Sequence, residues 1–264
     1  MIIFFSGTGN SKALAKELAS HTGDSLYDIS SKEQLPDTGR RVIWVFPIYS
    51  WGLPGPVVDA IRCLSGTGID RVPHFMTATC GDDAGLADRQ WHRLIESRGW
   101  DAAGAYTVIM PNTYTMMKGF DVDAESVASV KLAAFPARAK EIASKIVGGV
   151  RETDVTRGRF AWFKSQIIYP GFMRWAVSTK PFHATTACIS CGKCAGNCPV
   201  GAIKMEGDHP VWNGRPCAMC ERCYHACPVH AIAYGHATDG KGQYMFPTRE
   251  NPDGPTKTAD CRIH

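Results

Sequence analysis

A chain of 264 residues, 44% apolar and 20% charged, is ordinary for a globular protein and long enough for two domains. A net charge of +4 without a basic stripe argues against a nucleic-acid partner. The start, MIIFFSGTGN, carries no basic n-region or cleavage site, and the apolar run Phe160 to Val177 is broken by Lys164, Pro170 and Arg174, so neither a secretory leader nor a membrane span is expected.

Residues 2–5 are a short apolar run, followed by Ser6-Gly7-Thr8-Gly9-Asn10-Ser11 and then KALAKELASHT, with Leu14, Ala15 and Leu18 at helical spacing. That is strand, tight loop, helix. The first amides of a helix lack partners and its dipole is positive there, so the loop suits a phosphate. The hydroxyls of Ser6, Thr8 and Ser11 can donate without adding charge. The loop has no Lys, which excludes a triphosphatase P-loop. A glycine-rich turn capped by Ser11 is the plainer alternative; the place, after the first strand of an α/β pattern, favours phosphate.

The pattern continues. Strands are expected at 25–29, 41–46, 73–79 and 103–110, and helices at 56–64, 86–97 and 124–147, the last kinked or interrupted near Pro136. Five strands alternating with helices make a doubly wound parallel sheet. Its carboxyl edge gathers three loops: 6–11, 47–54 and 79–85.

Here the chain resembles a flavodoxin, because SGTGNS fits that family's phosphate-loop pattern. The resemblance implies FMN, with Ser6, Thr8, Gly9, Asn10 and Ser11 on its phosphate. It implies that Pro47, Tyr49, Ser50, Trp51 and Gly52 flank one side of the isoalloxazine ring, and Thr79, Cys80, Gly81 and Asp82 the other. Tyr49 and Trp51 are the stacking candidates. Asn112 and Tyr114, after the fifth strand, are placed to close the pocket. Against this stands the common role of a post-strand aromatic as core or rim, and of a strand-end cysteine such as Cys80 as a small buried hydrophobe. Cys63, on an amphipathic helix, is read as core, and Cys261 as a bystander.

Residues 151–180 read as a connector. Its segment FAWFKSQIIYPGFMRW is either an arm for docking the second domain or a partner, or a helix covering the sheet or the long helix. Its cations are too few to argue strongly for a membrane surface.

Residues 188–203, CISCGKCAGNCPVGAI, and 217–232, CAMCERCYHACPVHAI, repeat one pattern 29 residues apart. Each is C-x2-C-x2-C-x3-C-P, the spacing of bacterial-type ferredoxins with two 4Fe–4S clusters, in which the last Cys ligates the other cluster. Cys188, Cys191, Cys194 and Cys227 are then one ligand set, and Cys217, Cys220, Cys223 and Cys198 the other. Zinc would use C-x2-C pairs but leaves the x3-C-P element and the duplication unexplained. Two oxidised clusters at about −2 apiece cancel the formal charge. His225 is within reach of a cluster sulfur, a hydrogen bond that would raise its potential. The insert 206–216 with Trp212 is expected to pack over the clusters.

The two resemblances cover 1–150 and about 180–240, with 181–264 taken as the cluster domain. Together they resemble the EFR1-type flavodoxin–ferredoxin fusion family of anaerobic bacteria and archaea. The resemblance implies a cytoplasmic electron-transfer protein with FMN and two 4Fe–4S clusters, serving a redox partner protein or a small electron acceptor. Direct reduction of a small organic substrate at the flavin is the alternative, and an iron–sulfur redox sensor a third. No catalytic triad or carboxylate pair stands out.

Overall fold

The computed structural model describes residues 1–31, 35–65 and 68–248; Cys261 lies outside them. The chain forms two compact units. The first comprises Met1–Asn112 and Ala124–Val177, and the second Thr113–Asp123 and the residues from Ser178 onward. The sequence put boundaries at 150 and 180. In the structure the connector belongs to the first unit, and 113–123, between the fifth strand and the long helix, belongs to the second.

The first unit is built on a parallel sheet of six strands: β1 (Ile2–Phe4), β2 (Leu26–Asp28), β3 (Val42–Pro47), β4 (Pro73–Cys80), β5 (Asp101–Ile109) and β6 (Thr153–Asp154). Their order, β2-β1-β3-β4-β5-β6, is flavodoxin-like over its first five members. Five strands were expected and six are present. The sixth is two residues in a polar stretch, paired beside Ala105 and Tyr106, with no apolar run to announce it. β3 is an apolar run because both faces are covered, and β4 is buried along its length; Ile43, Trp44, Val45, Phe46, Phe75 and Met76 are fully buried.

Helices α1 (Asn10–Thr22), α2 (Gly55–Cys63), α3 (Ala87–Glu96) and α4 (Glu125–Val147) cover the sheet. α4 runs unbroken through Pro136. On α2 the buried residues are Val57 and Ile61, whereas Cys63 is exposed, not core. Two residues beyond Ile61 is about 200° around a helix, which turns the thiol outward.

The sheet also buries a polar side chain, His74. Its Nδ1 accepts from Trp44 Nε1 at 3.0 Å, so its Nε2 donates to the Ile69 carbonyl at 2.7 Å. Burial pushes its pKa down to about 4, so the ring is neutral. The unfolded chain binds this proton more readily, so the stabilising contribution is full above pH 6.5 and is lost as pH falls toward 4. About 3 kcal/mol is expected to disappear over that window. Amide protection factors in β3 and β4, with the slower intrinsic exchange at low pH divided out, should fall by up to about a hundredfold between pH 7 and 4.5, with a flatter dependence in His74→Gln.

The second unit has two antiparallel ribbons. β7 (Phe182–Ala184) pairs with β10 (Ile232–Tyr234), and β8 (Ile203–Glu206) with β9 (His209–Trp212). Phe182 stacks on Trp212 at 5.5 Å and meets Tyr234 edge-on at 4.7 Å. Two short helices, Lys193–Gly196 and Arg222–His225, lie inside the cysteine repeats. Among the described residues no helix is long and apolar enough to cross a membrane.

Candidate functional site

The loops expected at the carboxyl edge are brought together there. Ser6, Thr8, Asn10 and Ser11 are all buried. Ser6 Oγ accepts from the Gly9 amide at 3.2 Å, folding the loop back on itself, and no side chain caps the start of α1. Ser11 Oγ shares a 2.7 Å hydrogen bond with Thr79 Oγ1, tying this loop to the end of β4. Asn10 Nδ2 donates to the Pro111 carbonyl at 3.0 Å, tying it to the end of β5. An uncapped helix start lined by neutral hydroxyls fits a phosphate group.

The 47–54 loop is anchored where Ile48 N–H donates to the Thr79 carbonyl at 2.8 Å. Tyr49 and Gly52 then exchange two backbone hydrogen bonds at 3.0 Å, with Ser50 (φ 46°) and Trp51 (φ 64°) between them. Two successive positive φ values make a type I′ turn. Such turns favour Asn-Gly, and each L-residue with a side chain costs on the order of 1 kcal/mol there. The strain displays the half-buried Trp51 ring at the edge of the sheet.

Across from it, Asn112 Nδ2 donates to Asp82 Oδ2 at 3.0 Å, and Lys131 Nζ donates to the Gly81 carbonyl at 2.8 Å. Gly81, Asp82 and Asn112 therefore form one group. Cys80 is buried, and burial pushes its thiol up to about 12, with Asp83 and Asp82 adding to the rise. It is a neutral thiol. Tyr114 is not in this group; it packs edge-on against Phe120 in the second unit.

Sequence reading missed the residues that hold these loops. The connector contributes β6 to the sheet, and its Asp154 pairs with Arg138 of α4 at 2.9 Å. Its residues reach the carboxyl-edge loops. Ser165 Oγ donates to the Trp51 carbonyl and accepts from the Leu86 amide, both at 2.8 Å. Lys164 pairs with Asp83 at 2.6 Å and lies 4.9 Å from the centre of the Trp51 ring. Tyr169 Oη donates to the Leu53 carbonyl at 2.7 Å and accepts from Gln90 Nε2 at 3.1 Å; Gln90 Oε1 in turn accepts from Leu53 N–H.

In the second unit the duplication extends to the backbone. Positive φ recurs at Ser190 and Met219, at Gly192 and Glu221, and at Gly201 and His230. Cys198 Sγ accepts from the Ala202 amide and Cys227 Sγ from the Ala231 amide, both at 3.2 Å.

The thiols sort crosswise. One recess is lined by Cys188, Cys191, Cys194 and Cys227, with Met205 and Pro210 of the β8–β9 hairpin over it. The sulfurs acting electrostatically on Cys194 are those of Cys227 and Cys188. Cys217 feels Cys220 and Cys198, and Cys223 feels Cys220, Cys217 and Cys198. The last cysteine of each repeat thus keeps company with the first three of the other. Burial raises the thiols of Cys194, Cys217, Cys220 and Cys223, and the neighbouring sulfurs push the same way. Alone these thiols are therefore neutral; once deprotonated, such a donor set has the chemistry that fits iron.

Residues 187–232 match the family described as the 4Fe–4S dicluster domain. The chain is a redox protein that has both a flavodoxin-like unit and an iron–sulfur domain. No curated protein matches the sequence. Among solved structures it is similar to a flavodoxin of Streptococcus pneumoniae TIGR4, at 17% identity over 55% of this chain and 97% of that one, TM-score 0.36. It is also similar to the NAD(P)H:quinone oxidoreductase of Methanothermobacter marburgensis, at 12% identity over 55% and 94%, TM-score 0.32.

The buried His225 is not a sulfur partner. Its Nδ1 accepts from the Tyr244 amide at 3.1 Å and its Nε2 donates to the Thr113 carbonyl at 2.7 Å, so both nitrogens are committed. It works with Glu221, whose Oε2 accepts from the amide and hydroxyl of Thr115 at 2.9 and 2.8 Å. Lys241 Nζ donates to the Thr115 and Met117 carbonyls. These bonds hold 113–123 beside the second cysteine repeat.

Proposed function

We propose that the chain is an electron-transfer protein holding FMN at the carboxyl edge of the first unit and two 4Fe–4S clusters in the second. The observation that carries this reading is the crosswise sorting of eight cysteines, read together with the uncapped hydroxyl-rich loop on the other unit. The clusters supply one-electron chemistry and FMN can take two electrons, so the pair interfaces one-electron carriers with a two-electron reaction or a partner oxidoreductase.

The residues then have distinct tasks. Ser6, Thr8 and Ser11 offer hydroxyls, and the first turn of α1 offers amides, to a phosphate. Trp51 and Tyr49 offer aromatic faces on one side of the ring, with Gly81 and Asp82 on the other. The amides of Ala202 and Ala231 donate to Cys198 and Cys227 and so stabilise negative charge on those sulfurs. The direct partner is a redox protein or a small electron acceptor in the cytoplasm of an anaerobe.

Anaerobic purification with flavin, iron and sulfide analysis tests the assignment. About eight irons and one FMN per chain are expected. A chain without FMN, or with fewer than about seven irons, would remove the three-centre reading.

A further inference from the structure

The connector helix is turned inside out. Residues 161–176 form one helical run in which two π-type turns, Lys164–Ile168 and Phe172–Ala176, close with i→i+5 bonds. A surface helix ordinarily hides its apolar stripe and wets its polar one. Here the inward side chains include Ser165 and Tyr169, whose hydroxyls bind the loop at 51–53 and the start of α3. Outward stand Phe160, Trp162, Phe163, Ile167, Ile168 and Trp175, each between 37% and 76% exposed. Four aromatics and two isoleucines at that exposure present on the order of 600–700 Å². A standard interface buries roughly 800 Å² per partner, and a monomer seldom exposes so large an apolar patch.

The charges narrow the occupant. Residues 155–177 hold no Asp or Glu and four cations. Arg157 and Lys164 are taken up by Asp88 and Asp83. That leaves Arg159 and Arg174, which lie against the rings of Phe160 and Trp175. Two cations are few for holding a lipid surface, whereas aromatics with Arg and without acids are the composition of an interface centre.

The order of residues narrows it further. About a midpoint between Ile167 and Ile168 the outward positions Phe160 and Trp175 mirror one another, as the two isoleucines do, while Trp162 and Phe163 fall opposite the half-buried Met173 and Phe172. A run that reads alike in both directions is self-complementary when two copies cross antiparallel about a twofold axis, because residue i then meets residue j and j meets i. We infer that this face is an isologous interface, and that its occupant is residues 160–176 of a second copy of this chain.

Sedimentation velocity of the full chain, purified anaerobically with its cofactors, tests this. The expected mass is twice 28.8 kDa at micromolar concentration. Ile167→Arg places two cations face to face near the axis and should weaken association at least a hundredfold, with iron content and circular dichroism unchanged because the side chain is already exposed. Phe160→Lys alone should also weaken the dimer. Adding Trp175→Glu to it should restore association, since position 160 faces the partner's 175 only in the antiparallel arrangement. A wild-type monomer at tens of micromolar would overturn the inference. So would a dimer indifferent to Ile167→Arg, or a monomer that floats with anionic phosphatidylglycerol vesicles, which would assign the face to a bilayer. None of these readouts depends on the flavin assignment.

Discussion

Replacing Cys198 with Ala should lower the iron content from about eight to about four per chain, and the cluster lost should be the one held by the other repeat. The reason is the company Cys198 keeps: it acts on Cys217, Cys220 and Cys223, while Cys194 has Cys188 and Cys227 around it. A second substitution identifies the cluster that is lost. In Cys198→Ala with Cys223→Ala, both changes strike one ligand set, so about four irons should remain. In Cys198→Ala with Cys194→Ala, each strikes a different set and almost none should remain. If each repeat held its own cluster, the two double variants would exchange results. Iron and acid-labile sulfide, measured together after anaerobic purification, separate the cases without any activity assay. The exchange also makes each repeat depend on the other, so chelation that removes one cluster should loosen β7–β10 as well as the cysteine loops.

Residue identity at close spacing made much of this legible. The 4Fe–4S repeat and the apolar runs of β1 and β3 were legible locally, because burial on both faces demands continuous apolar strands and a cluster domain repeats its cysteines at set intervals. What was hidden is what depends on distant partners. Ser165 meets Trp51 across 114 positions and Thr115 meets Glu221 across 106, and neither pair has a local pattern. The two-residue β6 exists only because the middle of β5 offers it a partner. His225 stood near a cysteine in sequence, yet its hydrogen bonds run to residues 19 and 112 positions away. The connector left two readings open, a docking arm or a covering helix, because its apolar content was visible in the sequence and its orientation was not.

The hold of the connector on the edge loops should be the most sensitive mechanical feature of the first unit. Gly85 has φ +58°, and a Cβ there would sit 2.4 Å from Ser165 Oγ and 2.9 Å from Trp51 Cβ. Gly52 lies under Tyr169, with the ring 2.3 Å from where its Cβ would be. Gly85→Ala therefore combines a left-handed backbone penalty of about 1 kcal/mol with overpacking of about 1–3 kcal/mol. It also pushes away the hydroxyl that satisfies both the Trp51 carbonyl and the Leu86 amide. Ser165→Ala removes that hydroxyl without any clash and should cost about 1–3 kcal/mol, because the Leu86 amide is left buried without its partner. Once released, the strained Ser50–Trp51 turn can relax and the indole leaves its displayed position. FMN affinity should accordingly fall about tenfold in Ser165→Ala and further in Gly85→Ala, while Ser165→Thr, which keeps the hydroxyl, stays closer to the wild type. Equilibrium titration of the apo chain with FMN, followed by Trp fluorescence and paired with urea denaturation, reads both effects. Unchanged affinity in Ser165→Ala alongside the expected loss of stability would detach the Trp51 turn from the flavin and leave the connector as a purely structural brace.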